Sequence, residues 1–162
     1  MKQIIFLCGF MGCGKTTLGR MAADKLNLPF IDLDKQIEDT HKKSIAEMFS
    51  DNGENYFRML ETSAITSVSE VLSKKDGGIV ALGGGAVIKP ENVNIIKRFG
   101  ILIFIDVEFE VCYERIKDNP ARPLVKSHSR EQLEQLYNER KPIYLKHALH
   151  TVKTPEAIYD YL

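Results

Sequence analysis

Five apolar residues, Ile4-Ile5-Phe6-Leu7-Cys8, run directly into Gly9-Phe10-Met11-Gly12-Cys13-Gly14-Lys15-Thr16, and a stretch of helical character follows to Asn27. The octapeptide fits G-x-x-x-x-G-K-[ST]. Between a strand and a helix, that pattern forms a glycine-rich turn whose backbone amides and helix N-terminus face an anion together. Lys15 is then set to reach β- and γ-phosphates, and the Thr16 hydroxyl to ligate Mg²⁺. Gly12, Cys13, Gly14, Lys15, Thr16 and Thr17 make up the candidate nucleoside triphosphate site, for ATP or GTP. The alternative is a glycine-rich turn without a ligand. Cys13 reads as a small filler, although a thiol at a helix N-terminus is favoured to be acidic.

The rest of the chain continues the alternation of apolar runs with amphipathic segments. Phe30 to Leu33 reads as a strand, and two helical segments follow up to Leu72. Ile79 to Leu82 and Ile101 to Ile105 are unbroken apolar runs, as expected of strands covered by helices on both faces. Such alternation implies βαβ units and a parallel sheet. At 162 residues a single domain, 1–162, is expected, with enough interior for a core without disulfide or metal staples.

Lysine plus arginine and aspartate plus glutamate both number 22. No net field would therefore concentrate nucleic acid or an anionic membrane at the surface, and neither is expected as a partner. The three cysteines, Cys8, Cys13 and Cys112, show no C-x-x-C spacing, which argues against a disulfide framework or a zinc site and suits a reducing compartment. The N-terminal apolar run stops at Gly9, too short for a secretory core or a bilayer span. A cytoplasmic location is expected.

In the C-terminal half, 108–117 reads as a helix and Asp118-Asn119-Pro120-Ala121-Arg122-Pro123 breaks it, so Lys117 to His128 is expected to be a mobile loop. Ser129-Arg130-Glu131-Gln132 has capping-box spacing and opens a helix to about His147, with a kink expected at Pro142. A short strand at His150 to Val152 follows, then a helix for which Pro155 suits the first turn.

Several residues outside the glycine-rich loop carry chemistry. Asp32 and Asp34, two apart on the strand, would share a face at the carboxyl end of the sheet. One carboxylate could then hold water on Mg²⁺ while the other accepts a substrate hydroxyl; the alternative is that Asp34 only caps the next helix. Gly83-Gly84-Gly85 ends a buried strand and lets a ligand approach the main chain, or is a flexible turn. Arg140 falls on the inward stripe Leu133, Leu136, Tyr137, Arg140, Tyr144 and needs an anion there. Phe57, Ala64, Val68 and Val71 mark another stripe, on which Glu61 also lies. Arg58 stands three residues before Glu61, either as a surface pair or held for a substrate carboxylate. Arg122 lies in the mobile loop, free to swing onto a transferring phosphoryl group or simply solvated. Asp106 ends an apolar strand and competes with Asp32 for the metal. His147 and His150 read as surface residues.

In order, GFMGCGKT, FIDLDKQIE (30–38), YFRMLE (56–61), LGGGAV (82–87), ARPL (121–124) and NERKPIY (138–144) resemble the shikimate kinase family over essentially the whole chain. The resemblance implies an α/β, P-loop, nucleoside-monophosphate-kinase-like three-layer sandwich. Its five-stranded parallel sheet would have the order 2-3-1-4-5, with helices on both faces, a substrate-binding region at about 33–62 and a lid at about 117–128. It implies a monomer that uses ATP and Mg²⁺ to phosphorylate the 3-hydroxyl of shikimate, on the route to chorismate. By residue, it implies Thr16 and Asp32 at the metal, and Asp34 at the shikimate hydroxyls as candidate base. Arg58 and Arg140 would lie on the carboxylate, with Gly83, Gly84 and Gly85 as substrate-facing main chain. Lys15 and Arg122 would serve the transferring phosphate, and Arg115, Lys153 and Pro155 the adenine side. The chain differs at Thr16 and Cys13, where many relatives have serine; Thr16 keeps the hydroxyl. The rivals are another carboxylated-polyol kinase, such as a gluconate-type kinase, and a nucleotide-binding switch that transfers nothing.

Overall fold

The computed structural model describes residues 3–154 and 156–161. The chain alternates strands and helices: β1 (Ile4–Cys8), α1 (Lys15–Leu26), β2 (Phe30–Asp32), α2 (Leu33–His41), α3 (Ile45–Asn52), α4 (Glu54–Ser73) and β3 (Gly78–Ala81) form the first half. A 3₁₀ turn (Ala86–Ile88), α5 (Pro90–Phe99), β4 (Gly100–Ile105), α6 (Phe109–Ile116), α7 (Pro123–Ser127), α8 (Arg130–His147), β5 (His150–Val152) and a 3₁₀ segment (Glu156–Tyr161) complete it. The five strands form one sheet in the order β2-β3-β1-β4-β5. All four pairings are parallel, with Phe6 of β1 opposite Val80 on one side and Leu102 on the other. Every residue of β1 and β3 is buried, which is why these strands are apolar without alternation.

Parallel order brings the carboxyl ends of all the strands to one edge, the edge on which an open α/β sheet binds ligands. The glycine-rich loop leaves β1 there, and β2, β3, β4 and β5 deliver Asp32, Leu82-Gly83, Asp106 and Lys153 to the same edge. An aromatic cluster braces the loop. Phe10 packs edge-on against Tyr137 at 5.2 Å and against Phe109 at 6.3 Å, and the Tyr137 hydroxyl donates to the Val107 carbonyl at 2.9 Å. The loop is thereby tied to α6 and α8.

Local signals account for most helix ends. Both the Ser129-Gln132 box on α8 and a Ser44-Glu47 box on α3 are formed, each satisfying amides that the first turn leaves without partners. The structure departs from expectation at three places. Three helices, not two, lie between β2 and Leu72, because the capping box at Ser44 and Gly53 at φ 83° divide the run. The expected loop over 117–128 contains α7, which starts at Pro123 in the first-turn position. Val71 is 48% exposed; α4 buries Phe57, Glu61, Ile65, Val68 and Leu72 instead. Within α8, Pro142 lies inside an unbroken helix, as expected. The amide that proline lacks would have faced the carbonyl of Asn138, which is exposed, so water can take its place. The Pro155 expectation lies outside the described residues. No described helix is long and apolar enough to cross a membrane.

Candidate active site

Gly12 and Gly14 shape the glycine-rich loop with φ of 82° and 99°. A Cβ on Gly12 would also come within 2.7 Å of the Cys112 carbonyl oxygen, so both backbone angle and space exclude a side chain. The Lys15 ammonium folds back onto the loop, donating to the carbonyls of Gly9 at 2.8 Å and Phe10 at 3.1 Å. Carbonyl partners leave its positive charge without a neutralising anion. Cys13 is buried, as a filler should be. From α6, the Arg115 guanidinium donates to the Gly12 carbonyl at 2.9 Å and so touches the loop itself.

The two aspartates are placed differently from expectation. Asp32 is the last residue of β2 and Asp34 already belongs to the first turn of α2, so they do not share a strand face. Asp32 is also the residue that caps α2, accepting from the Lys35 amide at 3.3 Å. Its other carboxylate oxygen accepts from the Thr16 hydroxyl at 2.6 Å. Asp106 is committed elsewhere, in an ion pair of 2.8 Å with Lys141. Of the two competing aspartates, it is Asp32 that stands beside the loop hydroxyl.

Asp34 borders the cavity with one carboxylate oxygen withdrawn from its surface. Its Oδ1 is buried without a hydrogen-bond partner, next to Gly83, where an added Cβ would lie 2.7 Å from that oxygen and 3.1 Å from Glu61 Oε2. Burial, and then the neighbouring carboxylates of Glu61 and Asp32, raise its pKa to about 6; Lys15 and Arg58 oppose this in part. Glu61 is fully buried and holds Arg58 at 2.9 Å, while Glu54 binds the same guanidinium at 3.2 Å. The Arg58 guanidinium lies flat against Gly85, where a Cβ would come within 2.5 Å of it. Arg140 is only 8% exposed and, among the described residues, has no ion-pair partner within salt-bridge distance; it faces Gly84, whose added Cβ would lie 3.4 Å away.

These groups line one cavity of about 920 Å³. The loop with Lys15 and Thr16, the aspartates, the triglycine turn, Arg58 and Arg140 all border it, as do Arg115, Arg122 and Lys153. Arg122 precedes α7 and its Nε is buried without a partner. His147 and His150 do not border the cavity, and His150 stacks on Tyr161 at 4.0 Å. Sequence reasoning placed Tyr144 only in the core, yet its hydroxyl donates to the Gly84 carbonyl and fixes the glycine turn. Its position one turn beyond Arg140 on the inward stripe was the signal. Phe49 and Phe57, packed together at 5.2 Å, add an apolar wall to the cavity that nothing in their spacing distinguished from ordinary core.

Comparison with known proteins agrees with this geometry. The model of the shikimate kinase family matches residues 11–160. The shikimate kinase of Sulfurihydrogenibium sp. (strain YO3AOP1) is 40% identical over 144 residues, covering 89% of this chain and 83% of that protein. The enzyme of Staphylococcus aureus (strain MSSA476) is 39% identical, with 99% and 92% covered. The structure of the Acinetobacter baumannii shikimate kinase in complex with shikimate superposes with a TM-score of 0.92 at 30% identity, over 99% of this chain and 93% of that one. A deoxyadenosine kinase from M. mycoides shares the fold alone, at a TM-score of 0.64 and 14% identity. With a glycine-rich loop, a buried carboxylate oxygen and two arginines on one cavity, in a chain so matched along its length, the protein belongs to the shikimate kinase family.

Proposed function

We propose that the chain transfers the γ-phosphoryl group of ATP to the 3-hydroxyl of shikimate, giving shikimate 3-phosphate and ADP. The observation that carries this reading is the buried, unbonded Asp34 Oδ1 in the same cavity as both the phosphate loop and the Arg58–Arg140 pair. Shikimate offers one carboxylate and three hydroxyls, and these groups complement them.

Arg58 and Arg140 take the carboxylate. Arg58 is held ready by Glu61 and Glu54, and the buried Arg140 gains the anion it lacks. The main chain of Gly83 to Gly85 lies against the ring, with no side chain to hold it off. Asp34 orients the 3-hydroxyl and accepts its proton as the hydroxyl oxygen bonds to the γ-phosphorus and the bond to the β-phosphate oxygen breaks. An acidity near 6 leaves Asp34 largely ionised at neutral pH, yet basic enough to take the proton. Lys15 exchanges the Gly9 and Phe10 carbonyls for the β- and γ-phosphates, and Arg122 turns its buried Nε group towards the transferring phosphoryl oxygens. Arg115 and Lys153 lie on the nucleotide side.

The Thr16 hydroxyl and Asp32 carboxylate, 2.6 Å apart, are hard oxygen donors suited to Mg²⁺. Such a pair, with no group of three or more ligating side chains among the described residues, fits an ion that completes its shell with phosphate oxygens and water. Thr16 and Asp32 would hold Mg²⁺ there, and the ion would supply charge neutralisation for the phosphates. The protein is further proposed to be a cytoplasmic monomer, consistent with its three free, buried thiols.

Steady-state ADP release with shikimate, gluconate and nucleoside monophosphates tests the reading. Phosphorus NMR of the product then identifies the esterified hydroxyl. Shikimate should be the preferred acceptor, and ADP release no greater than with ATP alone would overturn the proposal.

A further inference from the structure

The chain contains a fully buried polar side chain that the reaction does not use. Asn92, on α5, is 0% exposed. Its amide nitrogen donates to the Ala86 carbonyl at 2.8 Å, and its amide oxygen accepts from the Thr62 hydroxyl at 2.7 Å, the shorter of two contacts open to that proton, the other being the Arg58 carbonyl one turn back at 3.1 Å. That hydroxyl in turn accepts from the Lys89 ammonium at 3.0 Å. Every donor meets an acceptor along the path from lysine to hydroxyl to amide to carbonyl. Lys89 also pairs with Glu91 at 3.0 Å, and the bonds of the path run in one donor-to-acceptor sense, so each strengthens the next.

The two ends of this relay are informative. Ala86 directly follows Gly85, against which the Arg58 guanidinium lies. Thr62 is one helical turn beyond Arg58 and next to Glu61, which holds it. The relay therefore joins the triglycine turn to the helix that carries the arginine, from behind the site and without facing it. Tyr144 anchors the same turn at the Gly84 carbonyl from α8, so the turn is pinned from both sides.

We infer that Thr62 and Asn92 are positioning residues for substrate recognition, setting the spacing between the Gly83–Gly85 turn and Arg58 on which grip of the substrate carboxylate depends. The inference rests on the shikimate reading above and assigns residues to it that touch neither substrate. A ligand gripped by a rigid main-chain turn and an arginine on separate elements is held only as well as the two are registered. Loosening that register removes binding shared by ground and transition states, which raises KM and leaves kcat nearly unchanged.

The test is a kinetic comparison of wild type with Thr62→Val, Thr62→Ser and Asn92→Leu, varying shikimate and ATP separately. Thr62→Val keeps the shape and removes the hydroxyl, whereas Thr62→Ser keeps the hydroxyl. The expected result is a KM for shikimate raised about 5- to 20-fold in Thr62→Val and Asn92→Leu, with kcat and the KM for ATP within twofold of wild type, and near wild-type constants for Thr62→Ser. If Asn92→Leu does not fold, the two Thr62 variants decide. An unchanged KM for shikimate in Thr62→Val, a parallel rise in both KM values, or no rescue by serine overturns the inference while leaving the proposed reaction intact. A wild-type chain without shikimate-dependent ADP release overturns both.

Discussion

In the proposed reaction, Asp34 would join catalysis to stability through one proton. Its acidity in the folded chain lies near 6, against an ordinary value of 3.8, so the folded state holds this proton more tightly than the unfolded state does. Below about pH 4 both states are protonated and the group imposes no penalty. Between there and about pH 6 the unfolded chain ionises first, stability falls, and at pH 7 the whole penalty is present. Asp34→Asn should therefore abolish phosphoryl transfer and yet raise unfolding stability at pH 7 by about 2 to 3 kcal/mol, a gain that disappears below pH 4. Denaturant titrations of both proteins from pH 4 to 8 check this, and a gain independent of pH would exclude Asp34 as its source. In the active enzyme the same proton should make kcat/KM fall on the acid side with an apparent midpoint near 6. The arginines should separate just as clearly. Arg58→Ala strands Glu61, a buried carboxylate, and should destabilise the fold by about 3 kcal/mol or more. Arg140→Ala strands no acid held in a salt bridge, so its loss should appear in shikimate binding, with thermal unfolding little changed.

At the level of elements, Asp32 caps a helix and is proposed to hold the metal, and one substitution can separate the two. It caps α2 through the Lys35 amide and stands at 2.6 Å from the Thr16 hydroxyl. Asparagine caps helices as well as aspartate, while alanine loses about 1 kcal/mol. Asp32→Asn should keep wild-type stability and require a much higher Mg²⁺ concentration for half-maximal rate, whereas Asp32→Ala should show both defects. A normal Mg²⁺ dependence in Asp32→Asn would remove Asp32 from the metal. The same residue shows where sequence reasoning was limited. The D-L-D spacing was read at period two because Phe30-Ile31 is strand-like, but the chain changes to helical period at Leu33. Pairing of β2 with β3, a contact across some fifty residues, extends to Asp32, and the cap that Asp32 makes with the Lys35 amide starts the helix there. Conversely, the Ser129 capping box and the inward stripe that buries Arg140 and Tyr144 are local patterns, and both were legible. The relay through Thr62 and Asn92 was not, since thirty residues separate its partners and neither belongs to a motif.

The whole molecule sets two half-sites on one edge of the sheet, and they differ in how far each is assembled beforehand. The sheet order was legible only through the family resemblance; apolar runs alone indicate parallel strands without ranking them. On the proposed acceptor side Arg58 is already paired with Glu61, and the glycine turn with Tyr144. On the proposed nucleotide side Lys15 is bound to its own loop and the Arg122 Nε has no partner, so both would rearrange when phosphate arrives. Shikimate alone should therefore bind and stabilise the fold without nucleotide. At a hundredfold excess over its dissociation constant, a ligand contributes about 2.7 kcal/mol, which for a domain of this size raises Tm by roughly 5 to 10 °C. Thermal unfolding with shikimate alone, with MgATP alone, and with each after Arg140→Ala resolves the two halves. The substitution should erase the shikimate shift and preserve the nucleotide shift. Loss of both would mean that Arg140 supports the cavity as a whole, and a shikimate shift seen only with nucleotide present would show that the acceptor half is built by the nucleotide.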